Sequence, residues 1–505
     1  MSTDSKVIAV LLVWSLAVVP SYGQSSDSLT QPVADAEESM QLKDVLALLR
    51  QQQQELASQK QLLEAQSRKI ESLTRELDGL RTTRTAAQQE TAQLATQVLD
   101  SPAPTPAAQA AVNPPEPQTE QELDTAVGQA VTEAQVDDPS RNLLEDFSGA
   151  WLLPGTQAAL AIGGFVKTDV VYNFDPLQIA DRFIVGSIPV GVQETTGDEA
   201  QSSITADQSR LNFDLREATD YGVMRAFIEG DFAGSNETFR LRHAFGQWRR
   251  MLAGKTWSTF VDPEASPEEI DFEGLNARIN VRQSQLRYMP KLGEEYELQF
   301  AMEDPNPEIQ NGTGVTRNPD LVLAGRFSPR ERLHMKLSLL LREIRGQSLD
   351  GDVEKKYAWG TSISGRYMTP RFDARDSVLF QLNYGKAIGR YVNDLSSIGN
   401  YDGIFNLDTG ELELFTVTAG YVSLQHWWST PQLRSNFTFG AVDVDNPGFL
   451  GGDAYRSTLR FSTNLMWSPI PSIDLGGEYL WGRRENQNGA QGDATQFQFA
   501  VRYLF

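Results

Sequence analysis

From about Ala159 to Phe505, apolar and polar residues alternate one by one, and a period of two confines a chain to extended strands with one oily and one wet face. Between Arg210 and Arg216, Leu211, Phe213 and Leu215 share one face while Arg210, Asn212, Asp214 and Arg216 share the other. Leu333 to Arg342 repeats the pattern, with Leu333, Met335, Leu337, Leu339 and Leu341 set against His334, Lys336, Ser338, Leu340 and Arg342. About sixteen segments of roughly 9 to 11 residues can be marked, the length that crosses a bilayer as a tilted strand. They begin near 160, 209, 221, 238, 251, 277, 296, 320, 333, 356, 376, 412, 434, 455, 473 and 495.

A water-soluble sandwich can alternate too, so the connections decide. They run long and short in turn: 174–208 long, 219–221 short, 257–276 long, 290–295 short, 304–319 long, 328–332 short, 389–411 long and 428–433 short. Several short ones carry proline after Ser or Thr, as in Ser328-Pro329, Thr369-Pro370, Thr430-Pro431 and Ser468-Pro469, which is tight-turn chemistry. An even number of antiparallel strands with loops at one end and turns at the other predicts an all-β transmembrane barrel, closed so that every backbone group is paired inside lipid. The final strand places Phe497, Phe499, Val501, Tyr503 and Phe505 on one face, the signature of a chain handed to the barrel assembly machinery. A mean hydropathy of -0.37 and a net charge of -23 then fit a membrane protein, because only alternate residues meet lipid. The acidity argues against a nucleic-acid partner, and the lack of cysteine removes disulfides and thiolate metal sites.

The first third is built differently. Lys6 precedes an apolar run from Val7 to Val19, and Ser21 and Gly23 stand at the -3 and -1 positions of a cleavage site, so 1–23 reads as an export signal. In 38–84, Leu42, Leu49, Leu56, Leu63, Ile70 and Leu77 recur every seven residues, and Val45, Gln52, Gln59, Gln66, Leu73 and Leu80 fill the second seam position. That predicts an α-helical coiled coil ahead of the barrel, and its polar Gln layers suit three strands. Residues 100–145, with Pro102, Pro104, Pro106, Pro114, Pro115 and Pro117, form an extended linker. The expected particle is a homotrimer in outer-membrane lipid, with the coiled coil in the periplasm and available for peptidoglycan contact.

Two sets of charged residues are candidates for a pore constriction. The loop 257–276 holds Asp262, Glu264, Glu268, Glu269, Asp271 and Glu273 without a single Lys or Arg, and its place after the fifth strand predicts that it folds into the lumen. The other reading is an exposed acidic loop that binds calcium. Opposite stand Arg210, Arg216, Arg225, Arg240, Arg242, Arg278 and Arg282, on faces opposed to the lipid-side Leu211, Phe213, Met224, Ile228, Leu241, Phe245, Ile279 and Val281. An arginine facing hydrocarbon at mid-depth costs about 2 to 4 kcal/mol, so these side chains point into the lumen. There they pair with wall acids such as Asp214, Glu229, Asp231, Glu297 and Glu303, or receive a carboxylate solute.

The combination of Pro154-Gly155-Thr156, the glycine-rich Ile162-Gly163-Gly164-Phe165-Val166-Lys167 and Ala253-Gly254-Lys255-Thr256-Trp257-Ser258-Thr259-Phe260 resembles the DcaP-like trimeric porins, a family linked to uptake of dicarboxylates and other anions. Phe165 stands where the family often has Tyr. The resemblance implies a homotrimer of sixteen-stranded barrels with an N-terminal periplasmic coiled coil, passing small anionic solutes. Competing readings are a general or cation-preferring porin governed by the acidic loop, and a surface adhesin. An autotransporter conflicts with the size of the barrel, and a plugged receptor needs about 22 strands and a folded plug. Catalysis is not expected: His243, His334 and His426 carry no surrounding motif, and no cofactor or metal site is predicted.

Overall fold

The computed structural model describes residues 147, 149–175, 177–191, 200–329, 332–369 and 375–505. The export signal 1–23, the heptad segment 38–84 and the linker 100–145 lie outside them. The described chain is a closed barrel of 16 antiparallel strands. In chain order they are β1 (Ala158–Asn173), β2 (Arg210–Thr219), β3 (Gly222–Asp231), β4 (Arg240–Trp248), β5 (Met251–Trp257), β6 (Arg282–Tyr288), β7 (Tyr296–Glu303) and β8 (Asp320–Phe327). They continue as β9 (Leu333–Ser348), β10 (Val353–Met368), β11 (Ser377–Lys386), β12 (Thr416–Trp427), β13 (Leu433–Asp445), β14 (Tyr455–Ile470), β15 (Ile473–Asn486) and β16 (Gln491–Leu504).

Each strand pairs with its sequence neighbour, and β1 pairs with β16 to close the cylinder, with Phe165 opposite Leu504 and Asn173 opposite Gln496. On its other edge β1 meets β2 in its first half, Phe165 opposite Arg210, and the short strand Gln201–Thr205 in its second. The chain crosses that junction at Gly164. Its φ is +150°, and a Cβ there would sit 2.2 Å from the Arg210 carbonyl oxygen, so only glycine lets the two backbones approach.

Burial is inverted relative to a soluble protein. On β9, Leu337 is 60% exposed on the outer face whereas Arg342 is 3% exposed on the inner one. A sandwich would bury the leucines. Here lipid takes the apolar face and the lumen takes the polar one. The alternation fails on β4, and there the expectation for Phe245 is corrected. Glu229 pairs with His243 but Gly230 pairs with Leu241, leaving Arg242 as the extra residue of a β-bulge. The bulge turns Arg242 and His243 both inward and reverses the phase beyond them. Phe245 is therefore 4% exposed inside the barrel with Phe227, Leu252 and Met289 rather than lipid-facing, and His243, 0% exposed, hydrogen-bonds Thr256. A second difference follows from where β6 starts. It begins at Arg282, not near 277, so Arg278, Ile279 and Val281 belong to the third loop, and Ile279 is buried in the lumen.

Candidate pore constriction

The third loop, 258–281, enters the barrel and is fastened to one wall strand after another. Its first residues meet β9 and β10: Asp262 accepts from His334 Nε2 at 2.9 Å and from the Ser364 hydroxyl at 2.5 Å, while Lys336 donates to the Val261 carbonyl at 2.7 Å. Glu264 pairs with Arg326 and lies 3.3 Å from His334 Nδ1. Further along, Tyr421 of β12 donates to the Ala265 carbonyl at 2.9 Å, and Arg434 of β13 grips Glu268 through two bonds of 2.6 and 2.7 Å. Arg460 of β14 then takes Glu269 at 2.7 Å and Asp271 at 3.1 Å. Lys167 of β1 donates to the Ile270 carbonyl at 2.7 Å, and Glu478 of β15 accepts the amides of Ile270 and Asp271 at 2.7 and 2.8 Å. The loop thus follows the inner wall, and five of its six acids are held by arginine or histidine side chains of the strands.

This accounts for the placement of the acids. A buried carboxylate needs a charge partner and hydrogen bonds, and wall arginines and Lys336 supply charge while arginines, His334 and Ser364 supply hydrogen bonds. Burial alone would raise the Asp262 carboxyl, but His334, Lys336 and Ser364 hold it well below the usual carboxylate range. Glu273 behaves in the opposite way. Its enclosure inside the barrel pushes it up to about 7, and Asp271 beside it adds to the effect against Ser397, Arg182 and Arg278.

The arginines divide into two groups. Arg216 and Arg225 share Asp214 at 2.9 and 2.8 Å, towards the short-turn end, with Arg216 stacked 4.0 Å above the ring of Phe147. The other five border a lumen cavity of about 400 Å³ beside the third loop. Arg240 and Arg242 both reach Asp231 at 2.8 Å, Arg242 also contacts Glu229 at 3.2 Å, and Arg210 lies 4.0 Å from Glu229. Arg282 stacks 4.1 Å over Trp257, and Arg278 donates to the Glu273 carbonyl at 3.2 Å. Of the loop acids, Glu269, Asp271 and Glu273 reach this cavity, and Asp262, Glu264 and Glu268 do not.

Two further loops complete the cavity, and neither was legible as a contributor. The first loop brings in Arg182, its Phe183, Val185 and Ile188 packing against Leu480 and Ala494 of β15 and β16. The loop after β11 folds inward as α1 (Asn393–Ile398), where Asp394 accepts from the Gly186 amide at 2.7 Å and from Tyr455 at 2.9 Å, and Asn393, Ser396 and Ser397 face the cavity. A non-periodic loop gives no signal for the direction in which it folds. Phe272, also on the cavity wall, sits within the acidic stretch, where a single aromatic residue carries no pattern of its own.

Sequence and fold comparisons agree with this architecture. The family model described as DcaP outer membrane protein matches residues 152–505. No curated protein matches the chain. Among solved structures, the outer membrane channel DcaP of Acinetobacter baumannii is similar at a TM-score of 0.62 and 23% identity, over 71% of this chain and 100% of that one. An anion-selective porin from Comamonas acidovorans aligns at a TM-score of 0.47 and 10% identity, over 69% of this chain and 100% of its own. OmpT of Vibrio cholerae aligns at 0.45 and 11%, over 70% and 100%.

Proposed function

The chain belongs to the DcaP outer membrane protein family and is an outer-membrane channel, and we propose that its constriction favours small anionic solutes, dicarboxylates among them. The observation that carries this reading is the charge balance of the cavity: six guanidinium groups, those of Arg182, Arg210, Arg240, Arg242, Arg278 and Arg282, against three carboxylates. Two of those three, Glu269 and Asp271, are already engaged by Arg460 on the far wall. A permeating ion meets the local field at the narrow section, which low-dielectric walls concentrate. The net charge of -23 acts from farther away, and salt screens it within about 8 Å at physiological ionic strength. Arginine suits the task because its planar fork receives a carboxylate through two parallel bonds. The same balance disfavours a cation-preferring channel governed by the acidic loop. In the same reading the particle is a homotrimer delivered by the barrel assembly machinery, with its N-terminal segment in the periplasm.

The test is the reversal potential of single channels in a potassium chloride gradient. Arg278→Gln with Arg282→Gln removes two positive charges from the cavity wall, and the barrel should fold because lumen substitutions tune selectivity more than stability. Chloride preference in the parent and a marked drop in the double variant are expected. Cation preference in the parent sinks the reading.

A further inference from the structure

Phe272 is a phenyl ring on the wall of a cavity where six guanidinium groups, three carboxylates and small polar side chains stand beside Trp257 and a few aliphatic residues. Its backbone is fixed from both sides. Glu478 holds the two preceding amides, and the Asp271 carboxylate accepts the amides of Gly274 and Phe183, each at 3.2 Å. Ile270 turns into an apolar cluster with Met466 and Ala500, whereas the ring of Phe272 stays half-buried on the water side. Hydrophobic burial does not explain a ring in that place. What the ring meets is cationic: the guanidinium carbon of Arg182, from the first loop, lies 5.2 Å from its centroid, and that of Arg240, from β4, lies 5.3 Å away. Both distances fall within the range of a cation–π contact.

We propose that Phe272 determines selectivity as an aromatic spacer, holding Arg182 and Arg240 at the cavity and keeping Arg182 from collapsing onto the neighbouring loop carboxylates. Both Glu273 and Asp271 attract Arg182, and they flank the ring in sequence. A guanidinium already paired with one aspartate that closes onto a second carboxylate loses the rest of its field and its remaining donors. One stacked on a ring keeps its charge, and the contact consumes none of its N–H groups. Arg182 and Arg240 each spend Nε and Nη2 on an aspartate, Asp181 and Asp231 respectively, and the ring adds no further demand. The spacer role rests on the anion-favouring reading of the same cavity, but its readout is the direction of a shift and not the sign of the parent.

Phe272→Leu keeps an apolar side chain of similar reach and discards the ring quadrupole, while Phe272→Tyr keeps the ring. In a potassium chloride gradient, Phe272→Leu should lower the chloride-to-potassium permeability ratio by about twofold or more, the scale set by one cation–π contact, and Phe272→Tyr should match the parent. In an Arg182→Gln background, Phe272→Leu should add little. Phe272→Met gives the same readout if the leucine variant does not yield folded channels. An unchanged ratio in Phe272→Leu or Phe272→Met overturns the proposal, as does a shift that persists at full size without Arg182. A parent that prefers cations sinks the anion reading alone, because the spacer is still scored by the shift towards potassium.

Discussion

A carboxylate enclosed in a barrel is stable as an anion only where a cation or several donors reach it, and Glu273 is the loop acid with the weakest such support. Its partners are a serine hydroxyl and the more distant Arg182 and Arg278, with Asp271 opposing ionisation. Its carboxyl rises from an ordinary 4.5 to about 7, so between those values the folded protein retains a proton that the unfolded chain has already lost. The sign for permeation follows. As pH falls through about 7 the cavity loses a negative charge and keeps its guanidinium groups, so the chloride-to-potassium permeability ratio should rise. Reversal potentials measured on either side of neutrality check this, and Glu273→Gln should show the acid-side value throughout. The contribution to stability runs in the same direction, greatest below the unfolded value and fading as pH climbs through the folded one.

At the scale of elements, the third loop depends on ion pairs whose partners are far apart in sequence. Arg434 and Glu268 are both nearly inaccessible, so removing Arg434 leaves the Glu268 carboxylate buried without that partner, at a cost of about 3 to 5 kcal/mol. Arg434→Met should loosen the loop and make it cleavable by protease added to folded channels, and adding Glu268→Leu should restore much of the protection. Persistent resistance of the single variant would count against the pair as an anchor. The strands themselves were legible because lipid on one side and water on the other impose a period of two on nearly every residue of them. The bulge at Arg242 was not, since one extra residue leaves composition unchanged while reversing the phase that placed Phe245 outside. Seven arginines and an inward acidic loop could be proposed from position, but the separation into Arg216 and Arg225 around Asp214 and the five around the cavity depends on depth along the barrel. So does the pairing of Arg460 with Glu269, which no local pattern encodes. Arg182 and α1 come from loops, where side-chain direction is set by tertiary packing against β14, β15 and β16 and not by a repeat.

For the whole molecule, the heptad Leu42, Leu49, Leu56, Leu63, Ile70 and Leu77 and the proline-rich stretch behind it predict association through a coiled coil that is not required for barrel closure. Mass measurement in detergent should give a trimer for the full chain, and removing 24–140 should leave folded, heat-modifiable barrels. A monomeric full-length particle would refute the assembly. The barrel itself is a thin cylindrical shell, a shape that resists stretching well and flattening poorly. Through Lys336, Tyr421, Arg434, Arg460, Glu478 and Lys167 the third loop is tied to strands around much of the circumference, so it braces the wall as well as narrowing the lumen. A cylinder tied across its section resists being squeezed into an oval by bilayer side pressure. Narrowness and stiffness therefore come from one segment, and shortening the loop to widen the aperture should also raise current noise and speed amide exchange in the unbraced strands.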